Sequence, residues 1–219
     1  MKAAKLLKPH IIVVMGDFAD CYSVSNHTKG PHQPRYLKEE LEVVSTRLAE
    51  LEALRAHTKV YLMGNHEDRI DRLIDAQAPA LSGMVSMSTH LRLWERGWYM
   101  VPYKRKTKLG KLNLTHDVGT AGQNAHRDAA SAFMSSAAIG HTHRMSYEVR
   151  GKLDGTPYLA AMFGWLGDFA SIDYMHEVKA AQWAHGFGIG FMEPNGVVHV
   201  QPVPIVKGVC VVLGKRVAA

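Results

Sequence analysis

Three short apolar runs in this chain each end in a glycine followed by residues of the types that bind metal ions. The runs cover residues 11–15, 60–63 and 137–139. The polar strings that follow them are Gly-Asp-Phe-Ala-Asp at 16–20, Gly-Asn-His-Glu at 64–67 and Gly-His-Thr-His at 140–143. Each run is typical of a buried strand. Because ligands of open α/β sheets bind just beyond the carboxyl ends of parallel strands, the strings predict one metal centre assembled from distant parts of the chain.

The spacing of apolar residues between these strings predicts an α/β fold. Leucine and valine recur every three or four residues from Tyr36 to about His57, which predicts a helix, and residues 59–63 follow as a strand. This strand–helix–strand order implies a right-handed parallel crossover. Further helices are predicted at 67–77, 91–96 and 122–133, and further strands at 97–102, 111–115, 145–150, 156–162, 186–192 and 197–202, with a hairpin turn at 194–196.

The composition fits a globular protein with a mild preference for anionic partners. At 219 residues the chain is predicted to form a single domain over 1–219 with a substantial core. The formal net charge is +6, and the densest basic stretch, residues 92–111, is either a nucleic-acid surface or a solvated loop and strand edge. Two cysteines are too few for a disulfide framework, and we find no signal peptide or membrane-spanning run. A cytoplasmic protein is therefore expected.

The residue types in the strings favour a transition-metal site with mixed ligands. Asp17 carries two carboxylate oxygens that can bridge two ions, and Asn65 offers a neutral amide oxygen. His116, His141 and His143 offer imidazole nitrogens. Mixed oxygen and nitrogen ligation suits Mn, Fe, Zn, Ni or Co. Two such ions about 3.5–4 Å apart can hold a phosphate and activate water, so these residues are consistent with phosphoester hydrolysis.

Two further residues of the strings suit proton transfer. His66 is expected to point toward the metal centre without binding the metal, and there it can act as the general acid that protonates the leaving oxygen. Asp20 lies three residues after Asp17 and is expected to accept a hydrogen bond from His66, which would fix the tautomer of the imidazole.

Taken in order, the strings and His116 resemble the motifs of the calcineurin-like metallophosphoesterases. Those motifs run Asp-x-His, Gly-Asp-x-x-Asp, Gly-Asn-His-Glu/Asp, a lone His and Gly-His-x-His, and the resemblance spans residues 8–206. The stretches that look like a branch common among tailed-phage genomes are 22–25, 65–69, 115–116, 140–144 and 186–188. The resemblance implies two mixed β-sheets packed face to face and flanked by helices, an αββα sandwich, here with its first strand missing.

The resemblance also implies a role for each site residue. Asp17 would be the bridging ligand, and His143 would serve the second metal. Asn65, His116 and His141 would complete the first metal site together with Asp17. His66 and Asp20 would be the catalytic pair. The implied cofactor is a divalent metal, Mn²⁺ first, with Fe, Zn, Ni, Co and Mg as alternatives. A phage-encoded member would work in the host cytoplasm.

The chain departs from the family pattern at its start, because no Asp-x-His motif precedes the predicted helix that ends at Lys8. Without that motif the second metal site keeps only Asp17 and His143. Three explanations stay open. In the first, the coding start is placed too late or the chain was cut. In the second, the gene naturally lacks the segment and encodes a one-metal or weakened enzyme. In the third, nearby histidines replace the missing ligands, with His10, His27 and His32 as candidates. A missing first strand would expose a sheet edge, so dimer formation or aggregation is expected.

A second departure lies at position 21. Protein phosphatases of the family place Arg-Gly after the second Asp, whereas this chain has Cys21 and Tyr22. Without an arginine there to bind two phosphate oxygens, the hypothesis of a protein phosphatase is weakened, and phosphodiesters, nucleotides and nucleic acids stay open as substrates. The first hypothesis is therefore a metal-dependent phosphodiesterase, such as a nuclease, with His66 as general acid. The alternative is a catalytically weakened or inactive metal-containing module that binds nucleic acid or a partner protein.

Overall fold

The computed structural model of the chain describes residues 1–27, 36–169 and 181–218, so His32 lies outside the described residues. The fold is α/β, with parallel and antiparallel strands flanked by helices, as the sequence predicts at this level. Contacts divide the chain into two compact units, Met1 with Ala3–Tyr103 and Lys2 with Lys104–Ala219. The αββα sandwich and the single domain over 1–219 stay predictions.

The first unit is built on a three-stranded parallel sheet in the order β1-β2-β3. Its elements are α1 (Lys2–Leu7), β1 (Ile11–Val14), a 3₁₀ turn (Tyr22–Val24), α2 (Leu37–Glu52), β2 (Thr58–Leu62), α3 (Asp68–Gln77), a second 3₁₀ turn (Pro79–Leu81), α4 (Met87–His90) and β3 (Trp98–Val101). Leu41, Val44 and Leu48 of α2 are buried in one apolar cluster with Tyr61 and Trp98 of the sheet. The predicted parallel β1–α2–β2 crossover is confirmed, with Ile11 paired to Thr58.

Two helix predictions in this unit were wrong in extent or place. Helix α2 ends at Glu52 rather than near His57, because the chain tightens into a turn in which the Arg55 amide donates to the Glu52 carbonyl and Arg55 takes a φ of 56°. The short helix expected at 91–96 is instead α4, four residues earlier, where the Ser86 hydroxyl accepts from the Thr89 amide at 3.2 Å and caps its start.

The second unit contains a five-stranded mixed sheet in the order β4-β5-β6-β8-β7 and two hairpins. Its elements are β4 (Lys106–Leu109), β5 (Leu112–Thr115), α5 (Ala125–Phe133), β6 (Ala137–Ile139), β7 (Met145–Arg150), β8 (Tyr158–Phe163), β9 (Gly186–Met192), β10 (Val198–Pro204), β11 (Val209–Val212) and β12 (Lys215–Ala218). Helix α5 packs on the sheet through small residues, with Ala125 and Ala129 fully buried against Ala137 and Ile139.

The sequence predicted most strands of this unit but missed three of them. Strands β5 to β10 lie close to their predicted positions, and the hairpin turn at 194–196 joins β9 to β10. Strands β4, β11 and β12 were not predicted. Two of them, β4 and β12, carry lysine or arginine along their length, which is typical of edge strands that avoid pairing with other chains. Among the described residues, no helix combines the length and apolar character needed to cross a membrane.

Candidate metal centre

In the first unit, two of the predicted strings leave the same edge of the parallel sheet. Val14 at the end of β1 pairs with Tyr61 near the end of β2, so the loops at 16–20 and 64–67 begin side by side. Gly16 has a φ of 94° and Asp17 a φ of 53°. Since a left-handed backbone is costly for a non-glycine residue, the surroundings must hold Asp17 in this conformation.

The carboxylate of Glu67 joins these two loops. It is fully buried and accepts five hydrogen bonds. The donors are the backbone N–H groups of Asp17 at 2.9 Å, Phe18 at 2.7 Å, Ala19 at 3.1 Å and Gly64 at 2.7 Å, and the hydroxyl of Tyr61 at 2.9 Å. Burial raises the pKa of Glu67 and the charge of Asp17 raises it further, while the backbone N–H bonds act in the opposite direction.

The carboxylate of Asp17 is held against the second loop. Its Oδ1 accepts from the backbone N–H of His66 at 3.0 Å, and its side chain is only 7% exposed. Gly64 makes this approach feasible, because a Cβ at that position would lie 2.1 Å from Asp17 Oδ1. The glycine of the second string is therefore required by the close packing of Asp17 against the chain.

His66 and Asp20 form the hydrogen bond that the sequence predicted. The Nδ1 of His66 lies 2.8 Å from Asp20 Oδ1, and its Nε2 lies 3.8 Å from Asp17 Oδ2. Arg69 donates to both the carbonyl of Asp20 at 2.7 Å and its Oδ1 at 3.1 Å. Burial raises the pKa of Asp20, but the hydrogen bond and charge of His66 and the charge of Arg69 outweigh it, so that the pKa lies below its usual value. The Asp20 carboxylate is therefore ionised at neutral pH.

In the second unit, His116 and His141 bring two imidazole nitrogens together. His116 follows β5 and is 1% exposed, and His141 follows the adjacent parallel strand β6. The Nδ1 of His141 lies 3.2 Å from the Nε2 of His116, with the rings edge to face. When two nitrogens bind the same tetrahedral ion, each at about 2.0–2.1 Å, they lie roughly 3.3 Å apart, so the spacing of this pair fits a shared divalent metal. The turn after β6 holds the pair, since the Gly140 amide donates to the His116 carbonyl at 3.0 Å.

His143 lies in an aromatic cluster of the second unit. Its ring stacks on Trp165 with centroids 5.4 Å apart, and Trp183 meets it edge to face at 4.3 Å. His141 and His143 both have positive φ, 48° and 56°, so the backbone of the third string is strained on both sides of Thr142. This packing orients the His143 ring, and its role as a second-metal ligand stays a prediction.

Sequence reasoning missed Glu67 as the organiser of the first-unit loops. A usable signal was the spacing from Gly64 to Glu67, because a Glu three residues after a turn often reaches back to the backbone N–H there. Trp165, which lies outside the strings, packs on His143. Cys21 and Tyr22 are both buried, so position 21 presents a thiol inside the core of the first unit.

No protein-family model matches the chain, and no curated protein matches it. The resemblance to the calcineurin-like metallophosphoesterases therefore rests on the residues of the strings themselves. The first unit supplies carboxylate and amide oxygens in Asp17 and Asn65, and the second supplies the imidazole nitrogens of His116 and His141.

Proposed function

We propose that this protein is a metal-dependent phosphoesterase of the calcineurin-like kind that hydrolyses phosphodiesters, with nucleotides or nucleic acid as substrates. The observation that carries the proposal is the pair formed by His66 and Asp20 next to Asp17 in the first unit. A histidine held by a carboxylate on one nitrogen, with its other nitrogen 3.8 Å from a metal-ligand type of side chain, is an arrangement for acid catalysis beside a metal.

We further propose that Asp17, Asn65, His116 and His141 hold one divalent metal and that His143 serves a second. Asp17, His116 and His141 are of residue types that bind a divalent ion through a carboxylate oxygen or an imidazole nitrogen. A bound divalent ion supplies Lewis acidity that activates water and neutralises charge on the phosphate. The imidazole nitrogens of His116 and His141, 3.2 Å apart, support this assignment from the second unit. The chemistry favours Mn²⁺, with Fe, Zn, Ni, Co and Mg as alternatives.

In this proposal His66 moves the proton. Its Nδ1–H donates to Asp20, and the ionised Asp20 carboxylate stabilises the positive charge of a doubly protonated imidazole. The proton on Nε2 is then available to the leaving oxygen as the ester bond breaks. Arg69 fixes Asp20 through its two hydrogen bonds, so the imidazole plane is fixed through Asp20 as well.

The residues near Asp20 favour a diester substrate. Position 21 carries a buried thiol, which cannot bind the additional charged oxygen of a monoester as a guanidinium would. The net charge of +6 adds a general attraction to polyanions. Both arguments point to phosphodiesters, and nucleic acid is the polyanionic member of that class.

The test is hydrolysis of bis-p-nitrophenyl phosphate with added Mn²⁺, run beside p-nitrophenyl phosphate and a DNA fragment. His66→Ala is expected to lower the rate by about 10²–10⁴-fold, because the general acid is lost, while the Mn²⁺ content stays near that of the wild type. His57→Ala is the matched control, because this histidine is exposed and belongs to the loop between α2 and β2.

Full activity of the His66→Ala protein would refute the acid role. A wild-type protein that binds Mn²⁺ and DNA in a salt-sensitive way but hydrolyses neither ester nor DNA would replace the enzyme with the alternative, a metal-containing binding module.

A further inference from the structure

Among the described residues, five hydrogen-bond donors surround the carboxylate of Glu67. Its Oε1 accepts from the amides of Phe18 and Ala19 and from the Tyr61 hydroxyl, and its Oε2 accepts from the amides of Asp17 and Gly64. Three consecutive backbone N–H groups that converge on one anion form the kind of nest that commonly binds a phosphate. Here a side chain of the same unit fills the nest, and it does so with no exposure to solvent.

These bonds fix residues that are far apart in the sequence. The loop amides lie 48 to 50 residues before Glu67, whereas Gly64 lies three residues before it. One carboxylate therefore sets the position of Asp17 relative to the loop that carries Asn65 and His66. The φ of 53° at Asp17 lies in the left-handed region, which Asp adopts more readily than most non-glycine residues but still at a cost, so the bonds to Glu67 help to hold it there.

We propose that Glu67 is a positioning residue that holds the backbone of Asp17 and the 64–66 loop in the arrangement that binds metal. The proposal rests on the function proposed above only in its last step, the link to metal affinity. The other part, that Glu67 holds the backbone amides of Asp17 and Gly64 in place, is testable in the metal-free protein. Outer contacts of metal ligands typically change metal affinity by about 10–100-fold when they are removed.

Glu67→Gln is the sharpest variant because it keeps the shape and removes one acceptor. Whichever way the amide is turned, its NH₂ group replaces an oxygen that now accepts from at least two donors, so donors face donors at that end. Glu40→Gln is the matched control. Glu40 is a second buried carboxylate of the same unit, with 8% exposure, but it accepts from the Ser23 amide at 2.8 Å and not from the Asp17 loop.

The first measurement is amide hydrogen exchange by NMR in metal-free protein, with the amides of β2 as an internal reference for global unfolding. In Glu67→Gln, the amides of Asp17 and Gly64 are expected to exchange at least about tenfold faster than in the wild type while the β2 amides keep their rates. In Glu40→Gln, the amides of Asp17 and Gly64 are expected to keep wild-type rates. A merely structural contribution of Glu67 would speed the β2 amides equally, and that result would overturn the proposal.

The second measurement is Mn²⁺ affinity by calorimetry, with Asp17→Asn as the test of the metal site itself. Glu67→Gln is expected to weaken Mn²⁺ binding by about 10–100-fold and Glu40→Gln by less than about threefold. If Asp17→Asn abolishes binding but Glu67→Gln leaves both affinity and exchange unchanged, Glu67 has no positioning role and the proposed function stands. If the wild type binds no Mn²⁺, the proposed function fails, and the exchange data alone decide whether Glu67 holds the loop.

Glu67→Asp covers the case in which Glu67→Gln does not fold. It keeps the charge but draws the carboxylate back by about 1.5 Å, one carbon–carbon bond, so that it cannot reach both loops. Faster exchange at the Asp17 and Gly64 amides, with the β2 amides unchanged, is expected again. Unchanged exchange in a folded Glu67→Asp protein would overturn the proposal.

Discussion

Replacing Gly64 with alanine tests how tightly the first-unit loops are packed. The added Cβ would lie 2.1 Å from Asp17 Oδ1, 2.5 Å from its backbone nitrogen and 2.9 Å from its Cγ. The Oδ1 of Asp17 would have to retreat by about 1.3 Å to reach an ordinary separation of about 3.4 Å. It cannot retreat freely, because its amide is bound to Glu67 at 2.9 Å and its Oδ1 to the His66 amide at 3.0 Å.

The size of the effect follows from these contacts. Overpacking costs about 1–3 kcal/mol, and the partial weakening of these two hydrogen bonds adds about 1 kcal/mol in total, so Gly64→Ala should cost about 2–4 kcal/mol of the free energy of unfolding. For a chain of this length, 1 kcal/mol corresponds to about 2–4 °C, which gives a fall in Tm of roughly 5–15 °C. A shift of Asp17 by this amount should also lower any Mn²⁺-dependent activity by about 10²-fold.

Thermal unfolding followed by circular dichroism measures the change in Tm. Gly151→Ala is the control, since a Cβ there would meet no atom within 4 Å and the backbone has no positive φ. The control should melt within about 2 °C of the wild type, as surface substitutions usually do. A Gly64→Ala protein that also melts within 2 °C of the wild type would show that the loops yield easily, and it would refute the close-packing argument.

Two further predictions concern other residues of the first unit. Burial raises the pKa of the Cys21 thiol far above its usual value, and the charges of Glu67 and Glu40 raise it further. In the folded protein at pH 8, Cys21 should therefore resist a thiol reagent until urea unfolds the chain. Rapid labelling of Cys21 without denaturant would contradict this prediction. Glu52 is partly buried, which raises its pKa, but bonds from Arg96 at 2.9 and 3.1 Å and from the Trp98 indole at 2.7 Å lower it overall. A carboxyl whose pKa is depressed in the folded state stabilises the fold above its unfolded pKa, and this gain is lost as the pH falls through the folded pKa. Glu52→Gln should therefore cost about 1–2 kcal/mol in urea unfolding at pH 7, and the cost should shrink as the pH falls below the usual carboxyl range. A cost that grows as the pH falls would refute this prediction.

The sequence predicted the parts of the fold in which apolar pattern and burial agree. Strands β1, β2 and β6 are short apolar runs closed by glycine, and all three lie where they were expected. The helix expected at 91–96 failed for a physical reason. Leu91 and Leu93 are buried, but a run of turns buries them instead of a helical face, and apolar spacing over six residues does not separate the two cases. Strand β4 was missed because an edge strand rich in lysine has the composition of a loop.

The candidate site divides in the same way. The bond between His66 and Asp20 was predictable, because two short strings after adjacent parallel strands place few polar side chains near one another. The five bonds of Glu67 were not, since they depend on where the backbone amides of a distant loop point, and sequence spacing carries no such information. The stacking of His143 on Trp165 is of this second kind, because it depends on how the chain after β8 returns to the end of β6.

The long reach of Glu67 has a consequence for the order in which the chain acquires its structure. The amides of Asp17, Phe18 and Ala19 are made about fifty residues before their acceptor, so during synthesis the loop has no carboxylate to hold it until residue 67 has left the ribosome. Closing a segment of that length costs entropy that β1–β2 pairing must first offset. The Glu67 carboxylate can therefore hold Asp17 only once residue 67 has been made and β1 and β2 lie together, and a nascent chain that stops before residue 67 carries the first string without the residue that shapes it.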